Sequence, residues 1–109
     1  MALMLAEGVT LRHLTGPMAF AATVVEGAYR ELGCDAIVTC ADGGKHSTNS
    51  RHYIGAALDF RTNFLSGEQK QALHAKLVAR LGPDFDAVLE ETHLHVESDP
   101  KSYQAVAVA

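Results

Sequence analysis

The sequence contains few residues of several types, and each shortage excludes a class of protein. Its 109 residues include no tryptophan, three prolines and two cysteines, and aromatic residues make up 6%. Cys34 and Cys40 are too few for a disulfide framework and are predicted to stay reduced, with Cys40 acting as a small buried apolar residue. Lysine and arginine number nine against thirteen acidic residues, and no basic run exceeds two residues. We therefore expect no nucleic-acid partner.

Long hydrophobic runs are also missing. The apolar start, residues 1–8, is too short for a signal core or a membrane span and has no positive charge before it. We expect no membrane association, and a protein that stays in the cytoplasm or reaches the cell wall on lysis. Hydrophobic residues nevertheless make up 48% of the chain and charged residues 20%. This composition predicts a single globular domain over residues 1–109.

Hydrophobic periodicity predicts two helices. The first begins at Thr15, which is followed by Gly16-Pro17, and ends at Gly33. Its predicted core face consists of Phe20, Ala21, Val24, Ala28 and Leu32. The second helix begins at Ser66, where Gln69 completes a capping-box pattern, and ends at the Gly82-Pro83 pair. Its core stripe is predicted to be Leu73, Leu77 and Leu81.

Four short segments read as strands, over residues 36–39, 56–61, 87–90 and 93–97. In the second of them, Leu58 and Phe60 alternate with Asp59 and Arg61, which predicts an apolar core face and a polar opposite face. Helices and strands do not alternate strictly along the chain. The sequence therefore predicts an α+β domain, with a small antiparallel sheet covered by helices on one face.

Ligand-capable side chains gather beside two of these strands. His52 precedes the strand that carries Asp59, while Glu91, His93 and His95 share one parity on the last strand. Two imidazoles and one carboxylate, with a further position left to water, form the ligand set of a catalytic zinc. Spacing alone leaves the metal open, because many proteins contain such residues by chance.

Two motifs carry a resemblance to a known family. Residues 50–60, SRHYIGAALDF, resemble the S-x-H-x-x-G-x-A-x-D signature of the zinc D-alanyl-D-alanine carboxypeptidases and phage L-alanyl-D-glutamate endopeptidases. His93-Leu94-His95 resembles the H-x-H motif of the same family, and the match extends from about residue 37 to residue 100. The resemblance implies the hedgehog/DD-peptidase fold, a peptidoglycan peptide as substrate, and Zn²⁺ held by His52, Asp59 and His95.

The sequence departs from the family pattern at two functional positions. Where relatives carry a general base three residues before the last zinc-binding histidine, this chain has Thr92. Glu91 and His93 are therefore alternative acid/base residues. Relatives also place an arginine in the loop after the first strand to hold a carboxylate or oxyanion, and here Lys45 or Arg61 would have to supply that charge. These departures also leave open a non-catalytic, zinc-stabilised phage structural or interaction module.

Overall fold

Within residues 2–43 and 50–100, which the computed structural model describes, the chain forms two α-helices and five β-strands. In chain order the elements are β1 (Leu3–Leu5), α1 (Gly16–Glu31), β2 (Ala36–Cys40), a 3₁₀ helix (Arg51–Ile54), β3 (Ala57–Arg61), α2 (Gly67–Leu81), β4 (Phe85–Leu89) and β5 (His93–Ser98). Each predicted helix and strand is therefore present, and β1 is an element that the sequence pattern did not predict.

The five strands form one mixed sheet in the order β1-β2-β3-β5-β4. β1 runs parallel to β2, and the other three pairings are antiparallel. The predicted α+β class is confirmed, but the prediction of a wholly antiparallel sheet is wrong. α1 lies between β1 and β2 in the chain and supplies the long connection that a parallel pair requires. β1 spans three residues that are all exposed, so no burial pattern marks it in the sequence.

Both helices begin at the predicted caps. The Thr15 side chain accepts a hydrogen bond from the Met18 backbone N–H, and Ser66 and Gln69 form both hydrogen bonds of a capping box. The buried stripe of α2 is the predicted one, Leu73, Leu77 and Leu81. Neither α-helix in the described part of the chain has the length and apolar character needed to cross a bilayer.

The core face of α1 is rotated from the predicted one. Phe20 is 52% exposed, so its predicted burial is wrong, whereas Tyr29 is fully buried. The Tyr29 hydroxyl donates to the Arg61 carbonyl oxygen at 2.9 Å, and its ring lies 6.2 Å from that of Phe60. These contacts orient Tyr29 toward the sheet. The buried residues of α1 are accordingly Met18, Ala21, Ala22, Val25, Ala28 and Tyr29.

The sheet separates an apolar face from a polar face. On β3 and β5 the core positions are Leu58, Phe60, Leu94 and Val96, each at most 2% exposed and packed in one cluster with both helices. The intervening side chains point to the other face, as the alternation in the sequence predicts. Antiparallel register places Asp59 opposite His95 and Arg61 opposite His93. The fold thus brings the polar residues of two distant segments side by side.

Candidate metal centre

Asp59 is the centre of a cluster of imidazoles on the polar face. Its Oδ1 atom lies 2.8 Å from Nδ1 of His95 and 3.3 Å from Nε2 of His52. His95 reaches it from the neighbouring strand β5, and His52 reaches it from the 3₁₀ helix that precedes β3. The two imidazole rings stand 5.1 Å apart, centroid to centroid. The three residues predicted as metal ligands therefore converge on one point.

Each imidazole is held at its outer nitrogen. Nδ1 of His52 lies 3.0 Å from the Ala41 carbonyl oxygen, which can only accept, so this nitrogen carries a proton and donates it. Nε2 of His95 lies 2.8 Å from the Glu97 carboxylate, and Glu97 in turn is paired with Nε of Arg51 at 2.9 Å. Partners of this kind fix the orientation and tautomer of metal-binding histidines. Both rings consequently present their other nitrogen to Asp59.

The turn before β3 determines where His52 lies. The Ser50 hydroxyl accepts from the His52 backbone N–H at 3.2 Å and caps the 3₁₀ helix. Gly55 ends that helix with φ of +72°, a left-handed conformation that side chains other than glycine rarely adopt. A Cβ atom at Gly55 would also lie 2.7 Å from the His13 carbonyl oxygen. Glycine at this position lets the chain turn tightly from His52 into the strand that carries Asp59.

The charges within the cluster stabilise one another. Burial opposes ionisation of Asp59, but hydrogen bonds from His52 and His95 outweigh it and hold the pKa of this carboxyl well below its usual range. The hydrogen bond to Asp59 raises the pKa of His95 to about 9 against the effect of burial, and Glu97 adds to the rise. Protonated His95 therefore donates one N–H to Asp59 and the other to Glu97, so the cluster favours a cation at this place. A divalent metal ion would take the place of such a proton.

Cys40 is a further donor at this site, and the sequence analysis missed it. Donor atoms of Cys40, His52 and Asp59 all lie within 4.8 Å of one another, so this group could hold a metal ion. Burial raises the pKa of the Cys40 thiol, and the Asp59 carboxylate adds to the rise. Both cysteines lie in the described part of the chain and neither forms a disulfide, as predicted.

A register shift explains why Cys40 faces the cluster. In the pairing of β2 with β3, Val38 lies opposite Phe60 but Cys40 lies opposite Asp59. Two residue steps on β2 thus match one step on β3, which is the signature of a β-bulge. Regular alternation would give Cys40 the same face as the buried Val38. The bulge instead turns Cys40 to the polar face beside Asp59.

His93 lies at the rim of the cluster. Its Nε2 atom is 3.7 Å from Oδ2 of Asp59 and 3.5 Å from a carboxylate oxygen of Glu90, and its Nδ1 atom is 3.1 Å from the Thr92 hydroxyl. Glu91 is exposed in the bend before β5, which begins at His93, so the strand parity assumed for Glu91 does not apply. The carboxylate next to His93 is that of Glu90, a residue that the sequence analysis did not single out.

Arg61 and Lys45 are the two side chains predicted to hold the carboxylate or oxyanion of the substrate. Arg61 ends β3 on the same face as Asp59 and lies opposite His93 in the register. It is therefore positioned beside the rim of the cluster. Lys45 lies outside the described residues.

A cleft of about 240 Å³ adjoins the cluster. One wall is residues 7–10, the other is formed at the end of β2 by Thr39, Cys40, Ala41 and Gly43. The buried Asp42 carboxylate ties the segment that follows the first wall to the end of β2, because it accepts hydrogen bonds from the backbone N–H groups of Arg12 at 2.9 Å and His13 at 2.6 Å. Cys40 belongs both to the cluster and to the wall of the cleft.

The chain matches no protein-family model, and it shows no significant similarity to a curated protein or to a solved structure. The chemistry of the site therefore has to be inferred from its own donors. These are imidazole, carboxylate and thiol groups, which together can hold a metal ion.

Proposed function

We propose that this protein is a zinc-dependent peptidase with the hedgehog/DD-peptidase fold, and that it hydrolyses peptide bonds in peptidoglycan stem peptides. One observation carries the proposal. His52, Asp59 and His95 are the residues that resemble the ligands of that family, and they meet around a single carboxylate oxygen. They come from a 3₁₀ helix and two strands, so their meeting depends on the fold and not on proximity along the chain.

The donor set suits zinc. Zinc accepts imidazole nitrogen and carboxylate oxygen, and three protein ligands leave a position for water, as in catalytic sites. The outer contacts of His52 with Ala41 and of His95 with Glu97 match the supporting shell that such ligands require. When bound, zinc polarises the scissile carbonyl and supplies a water nucleophile with a pKa near neutrality.

His93 is the residue that we assign to proton transfer. Its imidazole borders Asp59 on one side and Glu90 on the other, and its side chain is 27% exposed, so a substrate can reach it. It takes a proton from the attacking water and returns it to the leaving amine, which is general acid/base catalysis. Glu91, the alternative, is exposed in the bend before the strand. Glu90 orients the His93 ring.

Two positive side chains can bind the negative charge of the substrate or of the developing oxyanion. Arg61 lies on the polar face opposite His93 and offers a planar, bidentate donor. Lys45 is the second candidate and would act as a point charge. Arg61 is the better supported of the two, because β3 holds it opposite His93 beside the cluster.

The cleft favours a short peptide as substrate. Its volume of about 240 Å³ lies below the range of roughly 300–1,000 Å³ found for drug-sized ligands, so it takes a residue or two of a peptide and leaves the rest outside. It joins the cluster at Cys40, so a peptide that occupies it would extend toward His52 and Asp59. A stem peptide, which is short and lacks tertiary structure, fits this opening better than a folded protein does.

The experiment that tests the proposal is amine release from purified cell-wall peptides. We expect release with zinc, loss on chelation and recovery when zinc is restored. Asp59→Asn and His95→Ala should each lower the rate at least about a hundredfold, more than substitutions outside the metal shell typically do. His74→Ala is the matched control, because the His74 ring contacts the Ala87 carbonyl on α2's side of the sheet. Zinc-loaded protein that releases no amine from any stem peptide would contradict the proposal.

A second candidate is a non-catalytic module stabilised by zinc, and Cys40 is the observation that favours it. Structural zinc sites have four protein ligands and no position left for water, and Cys40 would be the fourth ligand beside His52, Asp59 and His95. The two candidates differ in what His93→Ala does. In a peptidase, His93→Ala lowers turnover and leaves the zinc content unchanged. A structural module shows no turnover in either protein, and removal of zinc lowers its unfolding temperature.

A further inference from the structure

We propose that Cys40 is a fourth metal ligand and that its thiolate closes the coordination shell in the resting protein. The proposed peptidase chemistry needs one open position, so Cys40 would lower turnover until it is displaced. The ligation itself does not depend on any activity. Its effect on turnover rests on the proposed function.

The distances place Cys40 within reach of the same ion as His52 and Asp59. In a tetrahedral zinc shell, with bonds of about 2.3 Å to sulfur and about 2.1 Å to nitrogen, two donors stand about 3.6 Å apart. The donors of Cys40, His52 and Asp59 are all within 4.8 Å of one another. Contraction by up to about 1.2 Å, which side-chain rotation can supply, brings them to bonding distance. The bulge in β2 turns the Cys40 side chain toward the cluster, because it sets Cys40 opposite Asp59.

We assign His95 as the fourth ligand, although it lies outside the group of three donors within 4.8 Å of one another, so its ring has to move toward Cys40 and His52 when a metal ion binds. Its Nδ1 atom is 2.8 Å from the Asp59 oxygen that His52 also approaches. Four segments of chain then contribute one donor each, namely the end of β2, the 3₁₀ helix, β3 and β5. Four ligands that include sulfur form the closed tetrahedral shell of zinc sites without an open position.

Thiolate ligation changes the chemistry of the ion. The Cys40 S–H bond breaks, an S–metal bond forms, and the proton leaves to solvent. Two anionic donors then neutralise a divalent cation, so the centre polarises a carbonyl less strongly than one with Asp59 alone. A soft sulfur donor also favours zinc or cobalt over magnesium or manganese. Because Cys40 also lines the cleft, a peptide entering there meets the ligand that has to be displaced.

Cobalt substitution tests ligation directly. Cobalt-loaded wild-type protein should show a near-ultraviolet sulfur-to-cobalt charge-transfer band, and Cys40→Ser should lose it. Cys34→Ser is the matched control and should keep the band, because the Cys34 sulfur lies beside the Tyr29 carbonyl oxygen, at 3.7 Å, at the other end of β2. A cobalt-loaded wild-type protein without this band overturns the proposal.

Thiol labelling gives a second test that does not require Cys40→Ser to fold. In Cys34→Ser the remaining thiol is Cys40, and zinc should slow its reaction with a chromogenic disulfide at least about tenfold. In the wild-type protein, where both thiols are present, the Cys34 thiol should react at the same rate with and without zinc. Equal rates for Cys40 in the two conditions overturn the proposal.

Turnover at full zinc occupancy tests the closing role. Cys40→Ala should bind zinc more weakly than wild type but release amine faster once saturated, since a coordination position becomes open. An unchanged or lower rate at saturation overturns the closing role.

The proposed function and the ligation by Cys40 can fail separately. A cobalt band without amine release from any stem peptide refutes the peptidase, and amine release without the band refutes ligation by Cys40.

Discussion

The two faces of β3 and β5 are built from the same ten or so backbone positions but are organised by different forces. On one face Leu58, Phe60 and Leu94 are almost fully buried against the helices. On the other face Asp59 and His95 are half-buried and are held by hydrogen bonds of 2.8 Å. The comparison shows how one short strand pair can serve the core and the site together, because side chains alternate between faces.

The forces on the two faces also differ in size and direction. Burial of a large apolar side chain contributes about 1.5–3 kcal/mol and has little directional preference. A hydrogen bond contributes about 0.5–1.5 kcal/mol net, but only in a narrow geometry. We therefore expect substitutions on the apolar face to change the free energy of unfolding, and substitutions on the polar face to change metal affinity.

The largest expected effect is on the apolar face. Phe60→Ala should lower the free energy of unfolding by about 3–5 kcal/mol, because a fully buried ring leaves a cavity. Phe64→Ala is the matched control, since Phe64 is 45% exposed, and it should lower the same quantity by less than about 1.5 kcal/mol. Urea denaturation measures both. Equal losses at the two positions would break the comparison.

An intermediate effect is expected on the polar face. Glu97→Gln keeps the shape of the side chain but weakens the contact with Nε2 of His95, so zinc affinity should fall roughly 10–100-fold. Titration calorimetry with zinc measures the change. Glu90→Gln is the control, because Glu90 contacts His93 and not His95, and it should leave the zinc affinity within about twofold of wild type. Equal losses in the two variants would mean that Glu97 does not orient a ligand.

The smallest effect belongs to an ion pair outside both faces. Hydrogen bonds from Arg80 and Lys76 on α2 lower the pKa of Glu31 on α1 to about 2, from 4.5 as the ordinary value. Since the folded pKa is the lower one, the pair stabilises the protein above about pH 4.5, and this contribution is lost as the pH falls toward 2. Solvent exposure keeps it small. The difference in unfolding free energy between wild type and Glu31→Gln should shrink across that range, and a constant difference would contradict the assignment.

Local signals in the sequence predicted most elements of the fold. Thr15 and Ser66 mark the helix starts because capping needs a side-chain oxygen one residue before the first turn. The alternation around Asp59 predicts both faces of β3, since one face had to be buried. The motifs also predicted that His52, Asp59 and His95 would lie together, as they do. Their role as zinc ligands remains a proposal.

Other features depend on contacts that no local pattern records. Phe20 and Tyr29 are both aromatic residues of α1, and tertiary contacts with the Arg61 carbonyl and the Phe60 ring hold Tyr29 inside. The parallel pairing of β1 with β2 gives no burial signal, because all three residues of β1 are exposed. Glu90 lies beside His93 because its backbone N–H donates to the His93 carbonyl oxygen at 2.8 Å and closes the turn between β4 and β5.

The sequence by itself determined both helices, the strands β2 to β5 and which residues of β3 face the core, because capping and alternation act between neighbours in the chain. Only the tertiary structure decided that Cys40 joins His52 and Asp59. Its parity with Val38 assigns it to the core, and a one-residue bulge against β3 reverses that assignment. Such a bulge is set by pairing between distant strands, so the donors around the proposed metal ion are fixed by register and not by spacing along the chain.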